Sequence, residues 1–336
     1  VHTTDEGRRL AVEGLTRELA KARLSSDPRG KTLRPRFVSH FLKYAETHDR
    51  VTPADLNAME EEKDNVLSAM DIANETSYWK SVIRICDAVS RFLDTRGYWD
   101  EAIRRNKQAA VAGEFINDEQ SVAMCSGRAG TILHQRGEYG EAIRTYQNVL
   151  SAFRKIKDDN NVAATLGNLG LIAQSQGDYA EAQRLYNESF ELEKKLGNQN
   201  GIAVSLHQLG ELSLAEKDFN EAEDYLEQSF SIFRKLGNKV SIAECLESIG
   251  KLRFEQERYS EAHPLFDESL EIAEALSIKP RIGSVKHSLG VLSEKQGDKA
   301  EALRLFREAL SIFEELSSAK AEAARQDIER LESESS

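Results

Sequence analysis

No apolar run in this chain approaches the ~18 residues that cross a bilayer, so a soluble, cytosolic protein without a secretory signal is expected. Cysteine is scarce as well. Cys86, Cys125 and Cys245 lie far apart in sequence, on packed positions of expected helices. That pattern excludes a disulfide or zinc framework and reads as reduced core thiols. The signatures of chemistry are missing too: there is no Gly-x-Ser-x-Gly, Cys-x-x-Cys, His-Glu-x-x-His or calcium loop. The one nucleotide-like string, Gly30-Lys31-Thr32, lacks the upstream glycine of a phosphate loop, position 25 being Ser25, and no apolar strand precedes it.

What the chain does contain is a period. Ser90, Gly130, Gly170, Gly210, Gly250 and Gly290 recur every 40 residues, and twelve residues after each stands an alanine, from Ala102 to Ala302. An aromatic accompanies the alanine at Trp99, Tyr139, Tyr179, Phe219 and Tyr259. Each copy reads as two helices, as in Ala163 to Gln176 and Tyr179 to Leu196, with apolar residues three and four apart and a break at Gly177-Asp178. Asp178 with Glu181, and Asp298 with Glu301, have capping-box spacing for the second helix. Gly197 and Gly237 supply the left-handed residue that closes it. Glycine and alanine let the paired helices approach closely, while Tyr146, Tyr186, Phe266 and Phe306 are expected to fill the gap between units. One pair cannot bury its apolar face alone, so the units must stack.

Leu166-Gly167-Asn168-Leu169-Gly170, then Gly177-Asp178-Tyr179-Ala180-Glu181-Ala182, then Tyr186, resembles a tetratricopeptide repeat. Units of 40 residues rather than the usual ~34, with no proline in the connecting loop, resemble the long-repeat branch that includes kinesin light chain and bacterial signalling proteins. The resemblance implies an all-α, right-handed α–α superhelix. Departures stand at Ser90 with Asn106, at Leu226 in place of the aromatic, and at Pro264, which would kink its helix if that helix starts before Ser260.

The expected organisation is an N-terminal helical arm over residues 1–80, six helix pairs over 83–322 forming one elongated body, and a capping helix and tail over 319–336. The arm should comprise a helix from Thr4 to Leu24, a break from Ser25 to Pro35, a helix from Phe37 to Thr47, and a helix capped at Thr52 that runs to Asn74. Residues 1–50 carry a net +4, which leaves −16 on the rest. An acidic body argues against nucleic-acid binding. The basic cluster Arg29, Lys31, Arg34 and Arg36 reads as a solvated linker. Ala321, Ala324, Ile328 and Leu331 should face inward on the last helix and cap the open end of the stack.

Glu62, Asp64, Asn65, Val66, Ala69 and Met70 resemble the arm that joins the winged-helix module to the repeat sensor in bacterial STAND-type regulators, the signal-transduction ATPases with numerous domains. That resemblance implies that the chain is the C-terminal part of a larger switch whose upstream ATPase and winged-helix domains lie outside it. A self-contained adaptor joining two proteins is the alternative. In tetratricopeptide proteins the first helices line the concave face, which implies groove positions at Asp87, Arg91, His134, Gln174, His207 and Glu211. The same columns continue through Leu214, Glu247, Lys251, Phe254, His287 and Glu294, with Asp94 and Leu171 beside them. Acidic and apolar groups at the centre of the groove imply a protein or peptide ligand with basic and apolar residues. Asp87, Gly127 and Gly167 stand where the chaperone carboxylate clamp needs Lys, Arg and Asn. His207 and His287 share a repeat position two units apart, too far to hold one metal ion, so no metal, cofactor or enzymatic activity is expected.

Overall fold

Every twenty residues the backbone crosses into the left-handed region. Ser77, Asn117, Lys157, Gly197, Gly237, Ser277 and Ser317 do so between units, at φ of 52–70°, and Gly97, Gly137, Gly177, Lys217, Glu257 and Gly297 do so within them, at φ of 60–88°. Each crossing ends a helix and turns the chain back, which produces paired antiparallel helices of 17 or 18 residues. The computed structural model describes residues 2–4, 9–11 and 30–333. Among them the pairs are α3 (Trp79–Thr95) with α4 (Trp99–Phe115), α5 (Glu119–Gln135) with α6 (Tyr139–Ile156), and α7 (Asp159–Ser175) with α8 (Tyr179–Leu196). They continue as α9 (Gln199–Ala215) with α10 (Phe219–Leu236), α11 (Lys239–Glu255) with α12 (Tyr259–Ala275), and α13 (Lys279–Lys295) with α14 (Lys299–Glu315). Two helices, α1 (Gly30–Thr47) and α2 (Pro53–Glu75), precede them, and α15 (Lys320–Ser333) follows.

Lysine and glutamate hold positions 217 and 257 where glycine stands in the other within-pair turns. A side chain in this conformation costs about 1–2 kcal/mol. Lys217 is exposed, and Lys217→Gly is expected to raise stability by up to about 1 kcal/mol, read as a higher urea midpoint at unchanged slope.

The repeated glycine makes room for the aromatic of its own pair. A β-carbon at Gly170 would lie 2.5 Å from the Tyr186 ring, one at Gly250 2.6 Å from Phe266, and one at Gly290 2.7 Å from Phe306. Tyr186 also packs against Leu209 and Leu212 of the next pair. The aromatic therefore serves the pair as well as the gap between units. At the departures the partner changes in step: Leu226 covers Gly210, and the first pair has Ser90 with the smaller Asn106, both next to the Cys86 thiol, the Asn106 amide donating to the Ala102 carbonyl at 2.9 Å. Only half of the capping box forms. The Asp178 and Asp298 side chains accept from the backbone N–H of Glu181 and Glu301 at 3.1 and 3.0 Å, but those glutamates turn outward to Arg184 and Arg304. Pro264 is the sixth residue of α12, past the first turn.

The N-terminal expectations are revised in three places. Thr4 lies in a strand, β1 (His2–Thr4), that pairs antiparallel with β2 (Arg9–Ala11), where a helix was expected; the rest of that expected helix, residues 5–8 and 12–24, lies outside the described residues. The expected break at 25–35 ends sooner, because α1 begins at Gly30 and takes in Pro35. Lys31, Arg34 and Arg36 of the basic cluster are thus helical rather than linker residues, while Arg29 lies outside the described residues. The helix after Thr52 forms with its cap, Thr52 Oγ1 accepting from Asp55 N at 3.2 Å. Val66, Ala69 and Met70 join Val82, Ile85 and Leu93 of α3 in one core cluster, so the arm is continuous with the first pair.

The stack is not elongated. The turn after α14 reaches back to the first two pairs: Ala319 N donates to the Gln135 carbonyl at 3.3 Å and Ser318 Oγ donates to it at 3.4 Å. Leu316, 2% exposed, belongs to the core cluster of the arm and α3–α5 and fills the space that the missing side chain of Gly97 leaves open. A β-carbon at Gly137 would be 3.1 Å from that of Ala319. The six pairs therefore close on themselves at a seam. α15, with Ala324, Ile328 and Leu331 buried, packs on α13 and α14.

Candidate functional site

Because the units are stacked, a polar residue on one first helix meets the next unit's first helix about 40 residues on, one turn to either side. The Asp87 carboxylate meets Arg128 at 2.6 Å, His134 meets Ser175 at 3.0 Å, and His207 meets Ser248 at 2.9 Å. The Ser248 hydroxyl donates to Glu211 at 2.8 Å. Separations of 34 to 41 residues thus form a ladder along the inner wall, and the ladder converges on Glu247.

Glu247 is fully buried. Its carboxylate takes Lys251 Nζ at 2.6 Å, the Ser284 hydroxyl at 2.7 Å and the Arg281 guanidinium, which also reaches Glu244 at 2.7 Å. Burial opposes the charge on Glu247, but Lys251, Arg281 and Lys320 outweigh it and hold the carboxyl well below the usual range. Burial opposes Glu211 also, and His207 and Lys251 with the Ser248 hydrogen bond bring it below its ordinary value. Desolvation would lower Lys251, yet Glu247 and Glu211 raise it. Lys251 and Arg281 with their carboxylates form one interior network, which Lys320 meets through the Ser284 hydroxyl.

The seam brings distant units into the same field. Lys320 of α15 acts on His134 of α5, whose pKa is lowered by desolvation and by that lysine. Glu244 of α11 acts on Asp94 of α3, a carboxyl that desolvation and Glu244 push up to about 6. Because the turn after the sixth pair packs on the first two pairs, the first helices enclose the concave face, which becomes the wall of a lumen.

Of the twelve groove residues expected from the repeat columns, His207, Glu211, Glu247 and Lys251 meet in the network, and His134 joins through Lys320. Arg91 is exposed in the same column as Glu211 and Lys251. Asp87 is held by Arg128. Gln174 accepts from the Tyr186 hydroxyl at 2.8 Å, and Leu214 and Phe254 pack in clusters between units. His287 and Glu294 are tied to α15 through Asp327 at 2.9 Å and Arg330 at 2.8 Å. Glu211 and Glu247, the acidic groups expected to meet a basic ligand, are engaged by donors of the chain itself. Asp94, Glu244, Ser248, Arg281, Ser284 and Lys320 complete the wall. Complementary groups spaced 34, 37 and 41 residues apart would have disclosed most of them; nothing local marks Lys320. Among the described residues no group of three or more His, Cys, Asp or Glu is placed to hold a metal ion, the three cysteines are free and buried, and no helix is long and apolar enough to cross a membrane.

The fold is shared with known proteins. A Rap protein complexed with Competence and Sporulation Factor superposes with a TM-score of 0.59 at 13% identity, over 81% of this chain and 80% of that one. The apo form of RapI gives 0.49 at 16% identity, over 72% and 99%. A STAND protein with a tetratricopeptide-repeat sensor from Pyrococcus horikoshii gives 0.46 at 16% identity, over 95% and 57%. No curated protein matches the sequence. Tetratricopeptide-repeat family models match residues 121–195, 201–275 and 283–320, together more than half of the chain, and with the helix pairs on their 40-residue ladder they make this chain a member of the tetratricopeptide-repeat family.

Proposed function

We propose that this chain is a non-catalytic binding module that takes a protein or peptide segment into its lumen, and that it serves as the ligand sensor of a STAND-type signalling ATPase. The observation that carries the binding reading is the closure of the six pairs at the seam, with polar and charged side chains of α9, α11, α13 and α15 linked along the inner wall. Side chains spread along an open solenoid would give many weak contacts; a lumen surrounds its occupant and concentrates them. That a Rap protein of the same fold is complexed with a factor is in keeping with this use of the fold. The sensor reading rests on the arm: Val66, Ala69 and Met70, among the residues of α2 that resemble the STAND arm, share a core with α3, whose Asp87 begins the ladder along the first helices. An occupant that favours one arrangement of the lumen biases the arm by the same free energy.

The test is selection of phage-displayed peptides on the wild-type chain, followed by binding to Arg91→Trp. Arg91 is exposed, so the variant should fold while its indole occupies the lumen. Loss of about tenfold or more in affinity, ~1.4 kcal/mol, is expected. Unchanged affinity would move the site off the concave face.

A further inference from the structure

The repeat supplies its own control for surface residues, because a position that serves only the fold recurs in kind from unit to unit. On the outer edge of the first pair it does not. Trp79 opens α3 and Phe115 closes α4, and their rings stack at 4.5 Å and 9°. Forty residues on, the same two positions hold the ion pair of Glu119 with Lys155, and in the sixth pair they hold that of Lys279 with Glu315. Val111, one turn before Phe115, stands where the later pairs have Ser151, Glu191, Ser231, Glu271 and Ser311.

Tyr78 departs in the same way. It occupies the position from which Asp118, Asp158, Asn198 and Asn238 cap the first helices of their pairs, and its own side chain makes no capping bond. The first pair has exchanged an ion pair and a helix cap for exposed apolar groups: Phe115 is 63% exposed, Val111 48% and Tyr78 40%. The other pairs form without them, so packing does not demand them. A contiguous aromatic patch of this kind on the surface marks contact with another macromolecule.

The charges around the patch indicate which one. Lys80 follows Trp79, Glu114 precedes Phe115, and Glu75 ends α2; all three are exposed, and none has an ion pair among the described residues. An apolar centre flanked by both signs is complementary to itself. A two-fold axis through the patch turns the lysine of one copy toward the glutamates of the other and lays ring on ring. Residues 51–336 carry a net −16, so two copies repel over most of their surface and can approach where the signs are mixed.

We propose that Tyr78, Trp79, Val111 and Phe115 form the centre of a two-fold interface between two copies of this chain, joined through their first pairs. Trp79 and Gly97 stand at opposite ends of α3, so the seam is left as it is in the dimer, and the interface does not depend on what the lumen binds. Four side chains are a small centre beside the ~20–30 residues that a standard interface engages on each side. The dimer is therefore weak and forms as the concentration rises.

The experiment is sedimentation velocity of the whole chain from about 1 to about 200 μM, for wild type and for Trp79→Glu with Phe115→Lys, which reproduces the Glu119 and Lys155 pair of the second unit. Wild type is expected to pass from monomer to dimer over this range, and the variant to weaken self-association about tenfold or more at an unchanged thermal midpoint. Tyr78→Asp restores the cap and should raise the midpoint while weakening the dimer. Lys80→Glu leaves only acids around the patch, and Glu75→Lys with Glu114→Lys leaves only bases, so each of these chains alone should stay monomeric. Mixed, they should form a dimer with one copy of each. A wild type that is monomeric at every concentration would overturn the proposal and leave the patch to a different protein. A dimer that persists in Trp79→Glu with Phe115→Lys, or charge variants that do not recover on mixing, would overturn it as well.

Discussion

Glu247→Ala is expected to destabilise the chain by about 3–5 kcal/mol, read as a lower urea midpoint. The carboxylate has no solvent exposure and is the common partner of Arg281, Lys251 and Ser284, side chains from two successive units. Its removal leaves two half-buried cations facing one another with Lys320 nearby. Reversal of this charge would likewise break the network, so Arg91, which is exposed, is the better probe of binding. The pH dependence follows from the same contacts. The folded-state pKa of Glu247 lies well below its ordinary value of 4.5, so its contribution is complete above about 4.5 and is lost as the pH falls through the depressed value. The variant should lose less stability than wild type on acidification below pH 4.5. An equal loss in both, or a destabilisation under about 1 kcal/mol, would show that the network does not hold the units together.

Gly170→Leu is expected to be nearly as damaging. A β-carbon there already meets the Tyr186 ring at 2.5 Å, and that ring has no room to withdraw: it is fully buried, packs on the following pair and holds Gln174 through its hydroxyl. Overpacking of this kind costs about 1–3 kcal/mol for the first carbons and more for a whole leucine, so the thermal midpoint should fall sharply. The first unit indicates the compensation. Gly170→Ser with Tyr186→Asn reproduces the Ser90–Asn106 combination and should recover part of what Gly170→Ser alone loses, a coupling expected of residues in contact. Additive losses would mean that glycine and aromatic do not share one space.

The pairs and their period were legible in the sequence because each rests on local chemistry: a glycine beneath an aromatic, an aspartate capping a helix, a left-handed residue ending one. The turn at 177 announced itself, whereas Lys217 and Glu257 show that the same turn forms without glycine. The start of α1 at Gly30 was hidden because Pro35 suggested a break, although the helix accommodates it. The closed shape was not legible. It accumulates from small rotations between units, and no local pattern links Gln135 to Ala319. Half of the lumen was unreadable for the same reason. Glu211, Glu247 and Lys251 repeat in register, but Lys320 lies beyond the last repeat and Asp94 gains its character only from Glu244 across the interior. Among the groove columns, Leu214 and Phe254 carried the right spacing and serve packing instead.

Closure of the six pairs at the seam is what turns a concave face into a lumen, and a cysteine pair tests it directly. In Gly137→Cys with Ala319→Cys the β-carbons stand about as close as those of a disulfide, 3.1 Å here against the usual ~3.5–4.5 Å, while the native cysteines are buried. Mild oxidation of the dilute protein should yield a monomer that migrates faster than its reduced form on a denaturing gel. Two thiols that stay free and reactive in the oxidised sample would mean that the seam is open in solution, and the closed lumen would be contradicted.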